Sequence, residues 1–161
     1  MTPLQTLLAT APGGLSAAQA LAWGRERVEQ ARVHSGWVFR ILLALGKYEA
    51  VSATFRAAID NLVTFNLGDP VWAAAIATQL SAEVTAGALT EQEKAAILAA
   101  GKPAADLADL VTAGTITAVH QAVILAARKR DDETDGLPTR FEAAGLTEPT
   151  EHQVAVAMGG A

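Results

Sequence analysis

The sequence predicts an all-α protein: a helical bundle, then short helical-hairpin repeats, then an extended acidic C-terminal arm. Three observations favour helices. Of the 161 residues, 51% are apolar and only 18% are charged, which is typical of a chain that folds. Alanine, the strongest helix former, occurs 36 times. No segment alternates apolar and polar residues over the length of an ordinary strand, so the pattern favours helices over sheet.

The same composition argues against several functional classes. Without cysteine, the chain has no disulfide framework, no cysteine zinc site and no thiol nucleophile. A formal net charge of −5 argues against nucleic-acid binding, which depends largely on cationic contacts to phosphate. The longest strongly apolar run, 37–45, is far shorter than the roughly 20 residues that cross a bilayer. No basic residue precedes the short apolar stretch at the N-terminus, so we expect neither a secretory signal nor a membrane span.

The predicted bundle covers 2–86, and its first two helices are marked by turn and cap residues. A helix over 3–11 ends where a proline and two glycines follow. Ser16, with Gln19 three residues later, predicts a capping box and a helix that runs to about His34. Its apolar residues recur at alternating spacings of four and three, as in a coiled-coil seam.

Three further helices complete the predicted bundle. Residues 37–45 are apolar nearly all round, which indicates a helix buried on several sides. A second seam of the coiled-coil type covers 48–67. Asp69 directly before Pro70 predicts an N-cap and a first helical position, so the last helix covers 71–86.

An internal repeat lies in 84–128. The segments VTAGALTEQEKAAILAAG (84–101) and VTAGTITAVHQAVILAAR (111–128) agree at ten of 18 positions without a gap. Similarity at a fixed offset is the signature of a repeated supersecondary unit, so we expect two helical hairpins.

The repeated turn has a simple physical interpretation. Gly87 and its counterpart Gly114 are expected to end one helix in the left-handed conformation, and a threonine caps the next helix. Glu93 completes a capping box in the first copy. His120 holds that position in the second copy, where we expect no box.

Residues 129–161 are predicted to form the acidic arm, which leaves 1–128 as the helical domain. From 131 to 161 the chain has one basic and seven acidic residues. Such a segment is expected to be disordered alone, so we predict that another chain holds it. Within it we expect a turn near 141–144 and a short helix over 150–158.

The chemistry-bearing residues do not form a recognisable catalytic or cofactor pattern. The three histidines lack metal-ligand spacing, and no serine lies in a G-x-S-x-G turn. Asp106 and Asp109 are three apart on one predicted helix, which is common on solvated helix faces. The cations at 128–130 are expected at a helix C-terminus, where they favour the helix dipole. We therefore predict a protein that is not an enzyme, with no cofactor and no metal.

Protein–protein contacts are the function that these exclusions favour. Alanine-rich seams allow close helix packing against other subunits, so we expect a homo-oligomer or a multi-protein assembly. Trp37 and Trp72 are predicted to anchor the core, whereas Trp23 lies off its seam among charged residues. The candidate interface residues are Trp23, Phe141, Leu146, Val154, Val156 and Met158.

The turn A-G-x-[LI]-T before a short helix resembles that of small helical tail and baseplate accessory proteins of tailed bacteriophages. The segments 86–90 and 113–117 carry it. The resemblance implies a non-enzymatic virion component of the tail, baseplate or connector that binds its neighbours and is assembled in the host cytoplasm. The helices that follow lack the acidic or tyrosine-containing pattern common in that group, so the specific role stays open. The alternative is a small acidic adaptor or regulatory module in the cytoplasm that sequesters a host or phage protein.

Overall fold

The computed structural model describes residues 1–62, 64–130 and 134–159, and these are mainly helical. The elements in chain order are α1 (Pro3–Leu8), α2 (Ala17–Gly24), β1 (Arg32–His34), α3 (Ser35–Ala44), α4 (Ala53–Asn61), β2 (Thr64–Asn66), α5 (Pro70–Thr85), α6 (Glu91–Leu98), α7 (Ala104–Thr112), α8 (Ala118–Ala127), α9 (Arg140–Ala143) and α10 (Glu151–Ala157). A mainly helical fold is confirmed, whereas its arrangement as a bundle with hairpin repeats stays a prediction. The part of the acidic arm at 131–133 and 160–161 lies outside the described residues.

The chain forms two compact units, and their boundaries differ from the predicted division at residue 128. One unit joins 1–28 to 137–161, and the other covers 29–136. The C-terminal segment is therefore not an extended arm, because it folds with the N-terminal helices. Its charge suggested disorder, but its few apolar residues are placed where they complete a core.

That core belongs to the unit formed by 1–28 and 137–161. Ala20 and Leu21 of α2 pack with Phe141 of α9 and Val154 of α10. Partly buried side chains of α1, α2 and the loops surround them: Leu4, Leu7, Leu8, Leu15, Ala17 and Leu146. The ring of Phe141 lies directly on Gly24, where a Cβ would overlap Phe141 Cζ.

The helix that begins at Ser16 is shorter than predicted. Its capping box with Gln19 is confirmed, but α2 ends at Gly24 instead of continuing to His34. The following backbone pairs with the C-terminal segment instead: Val28 N donates to Pro138 O at 2.9 Å, and Arg140 N donates to Glu26 O at 3.1 Å. This long-range pairing replaces the helical hydrogen bonds of the predicted seam.

The unit over 29–136 contains a small sheet that the sequence pattern did not indicate. Strands β1 and β2 are antiparallel, with Val33 opposite Phe65. Both side chains are buried, and Phe65 stacks on Phe55 of α4 with ring centroids 6.4 Å apart. The predicted seam over 48–67 is therefore a shorter helix, α4, followed by a strand.

Helices α3 to α8 supply the rest of the core of this unit. Trp37 is buried, as predicted, and the helix pairs α3–α8, α5–α6 and α7–α8 pack together. The buried leucine and isoleucine side chains on these helices include Ile41, Leu42, Ile59, Ile76, Leu80, Ile97, Leu107 and Ile124.

The turns at Gly87 and Gly114 have the same geometry. Their φ angles are 80° and 75°, in the left-handed region, as predicted. The helix-ending bonds are equivalent, from Ala88 N to Glu83 O at 2.9 Å and from Thr115 N to Leu110 O at 3.0 Å. Each pair of positions is 27 residues apart, the offset of the sequence repeat.

The second copy of the turn has a capping box, which corrects the expectation for His120. Thr117 Oγ1 accepts from His120 N at 3.1 Å, and Thr117 N donates to His120 Nδ1 at 3.1 Å. The imidazole nitrogen accepts as the carboxylate of Glu93 does in the first copy, where Thr90 N donates to Glu93 Oε1 at 2.8 Å. A neutral ring nitrogen is a sufficient acceptor for this cap.

Candidate protein-interaction surfaces

Two of the six predicted interface residues are inaccessible. Phe141 and Val154 both have 0% relative exposure, because they form the core with α2 of the same chain. They stabilise the chain itself and cannot contact another protein. The prediction was wrong for them because the sequence pattern of an apolar residue in an acidic segment is the same whether that residue packs in the core of its own chain or against another protein.

Trp23 is half-buried and already has an intramolecular partner. The guanidinium carbon of Arg140 lies 4.5 Å from the centre of a Trp23 ring, a cation–π geometry. Arg140 Nη1 also donates to Trp23 O at 2.7 Å and to Glu26 Oε2 at 2.8 Å. These contacts tie α9 to the end of α2, so Trp23 contributes to the fold of its own unit.

The other three predicted residues line open clefts of the same unit. Leu146 and Val156, with Leu4 and His152, line a cleft of about 610 Å³. Met158 lines another of about 560 Å³. Val156 of α10 and Met158, directly after that helix, remain exposed. The C-terminal end of the chain therefore presents apolar side chains to solvent.

The most exposed tryptophan is one that we predicted for the core. Trp72 is 53% exposed and its neighbour Val71 is 78% exposed, both in the first turn of α5. One turn later, Ile76 is buried and anchors the helix. Because the first half of α5 is mostly alanine, the sequence did not indicate that Trp72 faces solvent.

The solvent side of α5 has no charge. The only ionisable residue of this 16-residue helix is Glu83, and it is buried. The exposed positions along the helix are Pro70, Val71, Trp72, Ala74, Ala75, Thr78, Gln79, Ala82 and Thr85. An exposed helix side without charges is unusual, because solvated helices carry polar and charged residues opposite the core.

A groove of about 440 Å³ runs between α3 and α8. Its lining residues are Arg40, Ala44, Val119, Ala122, Val123, Ala126 and Ala127. Val119 is 63% exposed, and Leu43 on the adjoining surface of α3 is also exposed. Neither helix carries an acidic residue. We call this feature the α3–α8 groove.

Arg40 is fixed at the edge of the α3–α8 groove. Its Nη1 donates to Ala127 O at 2.9 Å. Among the described residues, no carboxylate lies within 4.0 Å of its guanidinium. The groove thus combines an apolar lining with a cation that has no counter-ion among the described residues.

The buried carboxylates of this unit have structural partners. Glu83 accepts hydrogen bonds from Ser52 N at 3.0 Å and from the Ser52 hydroxyl, which joins α5 to the start of α4. Glu93 lies 3.7 Å from Lys47 Nζ in addition to its capping bond. These contacts hold the segment between α3 and α4 against α5 and α6.

Arg128 is buried rather than exposed at the end of α8. Its Nη1 donates to Ala100 O at 3.1 Å and to Lys102 O at 2.5 Å, and its Nη2 donates to Asp135 Oδ2 at 3.1 Å. Burial lowers the pKa of Arg128, and the charge and hydrogen bond of Asp135 oppose that shift. The bonds to Ala100 O and Lys102 O fix the segment after α6 to the C-terminus of α8.

The acidic residues singled out in the sequence do not converge. Asp106 and Asp109 are exposed on α7. Within the described ranges, no group of three or more His, Asp and Glu side chains is placed to hold a metal ion. The features that favour binding are therefore the apolar surfaces of α5, α10 and the α3–α8 groove.

Among the described residues, no helix has both the length and the apolar character that crossing a membrane requires. The chain matches no protein-family model, no curated protein and no solved structure with which it was compared.

Proposed function

We propose that this chain is a non-enzymatic structural or assembly component that acts by binding other protein subunits. The observation that carries the proposal is the combination of a charge-free solvent side on α5 with the apolar α3–α8 groove. Single exposed apolar residues are normal on soluble proteins, whereas contiguous apolar surface marks interaction sites.

The types of exposed residue also support a binding role. Tryptophan and arginine are enriched among the residues that dominate binding energy in protein interfaces. Trp72 on α5 and Arg40 at the groove are both exposed. Among the described residues, Trp72 has no ring or cation–π contact and Arg40 has no ion pair.

The proposed setting is a phage or phage-like virion, as a tail, baseplate or connector accessory. It is supported by the A-G-x-[LI]-T turns, whose glycines and threonines form equivalent hydrogen bonds at Gly87 and Gly114. Short capped helices of 8 to 10 residues, such as α6 and α8, depend on tertiary packing for stability. We propose that subunit contacts add to that packing in the assembled particle.

Copurification with particles tests this proposal. The full chain, carrying an affinity tag, is produced in its native host, and particles are separated from free protein by density-gradient sedimentation. We expect the chain to sediment with particles at a fixed, symmetric copy number. Recovery of the chain only with one soluble partner would contradict the virion setting and favour the adaptor alternative.

A further inference from the structure

The unit over 29–136 presents two surfaces that complement each other. One is the pair of exposed side chains Val71 and Trp72, which we call the α5 knob. The other is the α3–α8 groove. Because both belong to the same compact unit and both stand open, the α5 knob does not fill the groove of its own chain.

The two surfaces match in size and polarity. The groove has a volume of about 440 Å³ and is lined mostly by alanine and valine, which leave room for one bulky side chain. An indole is the largest apolar side chain, and its burial removes about 150–250 Å² from water. Trp72, at 53% exposure, still has much of that area to bury.

Their charges match as well. The groove offers the guanidinium of Arg40, and neither of its helices carries an acidic residue. Beside the α5 knob lies Asp69, whose Oδ1 accepts from Val71 N at 2.9 Å and from Trp72 N at 3.4 Å. In the part of the chain that the structure describes, Oδ2 of Asp69 accepts no hydrogen bond. On a chain of net charge −5, the described lining of this groove carries one positive charge and no negative charge, which suits the carboxylate of Asp69.

We propose that the α5 knob of one copy inserts into the α3–α8 groove of a second copy, with Arg40 facing the indole and the carboxylate of Asp69. Guanidinium groups pack favourably on indole faces, and the carboxylate supplies a counter-ion that Arg40 does not have in the described part of its own chain. The inference rests on the proposed function, because self-binding is one form of subunit contact.

The contact joins two different surfaces, which determines the kind of assembly. After one contact forms, each pair still has one free knob and one free groove. Such a head-to-tail interface extends into a closed ring or an open filament rather than stopping at a dimer. One knob buries much less than the roughly 800 Å² per partner of a standard interface, so we expect weak association that grows with concentration.

Sedimentation velocity of the purified full chain over a series from micromolar to millimolar concentration tests the inference. We expect species larger than the monomer at the highest concentrations of this series. Trp72→Ala and Val119→Asp are each expected to shift half-association to at least tenfold higher concentration, and Arg40→Ala to shift it several-fold. Both main variants change exposed residues, so circular dichroism should show an unchanged helical fold.

Val156→Asp is the matched control. It introduces the same charge at an exposed valine of α10, in the other unit, and should leave self-association unchanged. A wild-type chain that stays monomeric throughout the series would overturn the inference. Half-association of either Trp72→Ala or Val119→Asp at the same concentration as the wild type would overturn it too.

Mixing the two main variants tests the head-to-tail geometry directly. Trp72→Ala keeps a groove without a knob, and Val119→Asp keeps a knob without a usable groove. At the concentration that gives half-association of the wild type, each is expected to be largely monomeric alone, whereas an equimolar mixture should form heterodimers that do not extend. A mixture that stays monomeric would exclude this contact. Copurification with particles is scored separately, so loss of the knob contact and failure of the proposed function give different results.

Discussion

Because Gly24 has no side chain, the ring of Phe141 can pack directly on α2 in the core of its unit. Because a Cβ at position 24 would overlap Phe141 Cζ, any other residue there must displace the ring. We predict that Gly24→Ala destabilises the protein by about 1–3 kcal/mol through overpacking. Urea unfolding measures the change.

Gly36→Ala is the matched control for that experiment. Gly36 lies in α3, and no atom lies within 4 Å of the place that an added Cβ would take, so the same substitution should be neutral or stabilising there. Equal urea midpoints for the Gly24→Ala variant and the wild type would show that Phe141 does not lie on this glycine.

The buried guanidinium of Arg128 and its ion pair with Asp135 are expected to stabilise the fold. Arg128→Met removes the donors to Ala100 O and Lys102 O and the ion pair with Asp135. Breaking a buried pair from one side commonly costs about 3–5 kcal/mol. We expect a cost near the lower end, because Asp135 is partly exposed and can be hydrated. A loss below about 1 kcal/mol in urea unfolding would contradict this role.

At the scale of elements, the cap of α8 provides a direct test of the corrected capping box. Thr117→Ala removes the acceptor for His120 N, and we predict a loss of about 1 kcal/mol. His120→Ala should cost a similar amount, because Thr117 N then loses its acceptor. Thr115→Ala, at an exposed position of the same turn, is the control. If all three variants unfold at the same temperature, the box does not stabilise α8.

Element starts were predictable from the sequence because caps are local. Ser16, Asp69, Thr90 and Thr117 each precede a helix as predicted, since a side-chain acceptor and the backbone donors it satisfies lie within three residues. The ends were less predictable. The stop of α2 depends on pairing with 138–140, more than a hundred residues away, and no local pattern encodes it.

The candidate surfaces were only partly predictable, because long-range packing also decides which apolar residues stay exposed. Val156 and Met158 were expected at an interface and are exposed. The sequence predicts Trp72 in the core because it stands among alanines that bury little area, and the small residues around it in the first half of α5 do not indicate which side of the helix faces the core. Only the packing of Ile76 and Leu80 fixes which residues remain outside.

At the scale of the whole molecule, the C-terminal segment belongs to the fold rather than to a partner. Deleting 137–161 removes Phe141 and Val154 and uncovers Ala20 and Leu21. We predict that the shortened chain loses helical signal and binds a hydrophobic dye. A segment that only docks on other proteins would leave the remaining chain as stable as before, and that result would contradict the two-unit fold.

The central claim is that this chain works through contacts with other subunits. The most direct measurement is the native mass of the complex that the full chain forms in the cell that produces it. We predict a mass well above 16.6 kDa, made up of several copies or several subunits, that falls when Trp72 is replaced by alanine. A monomer of 16.6 kDa in that cell, unchanged by the substitution, would contradict it.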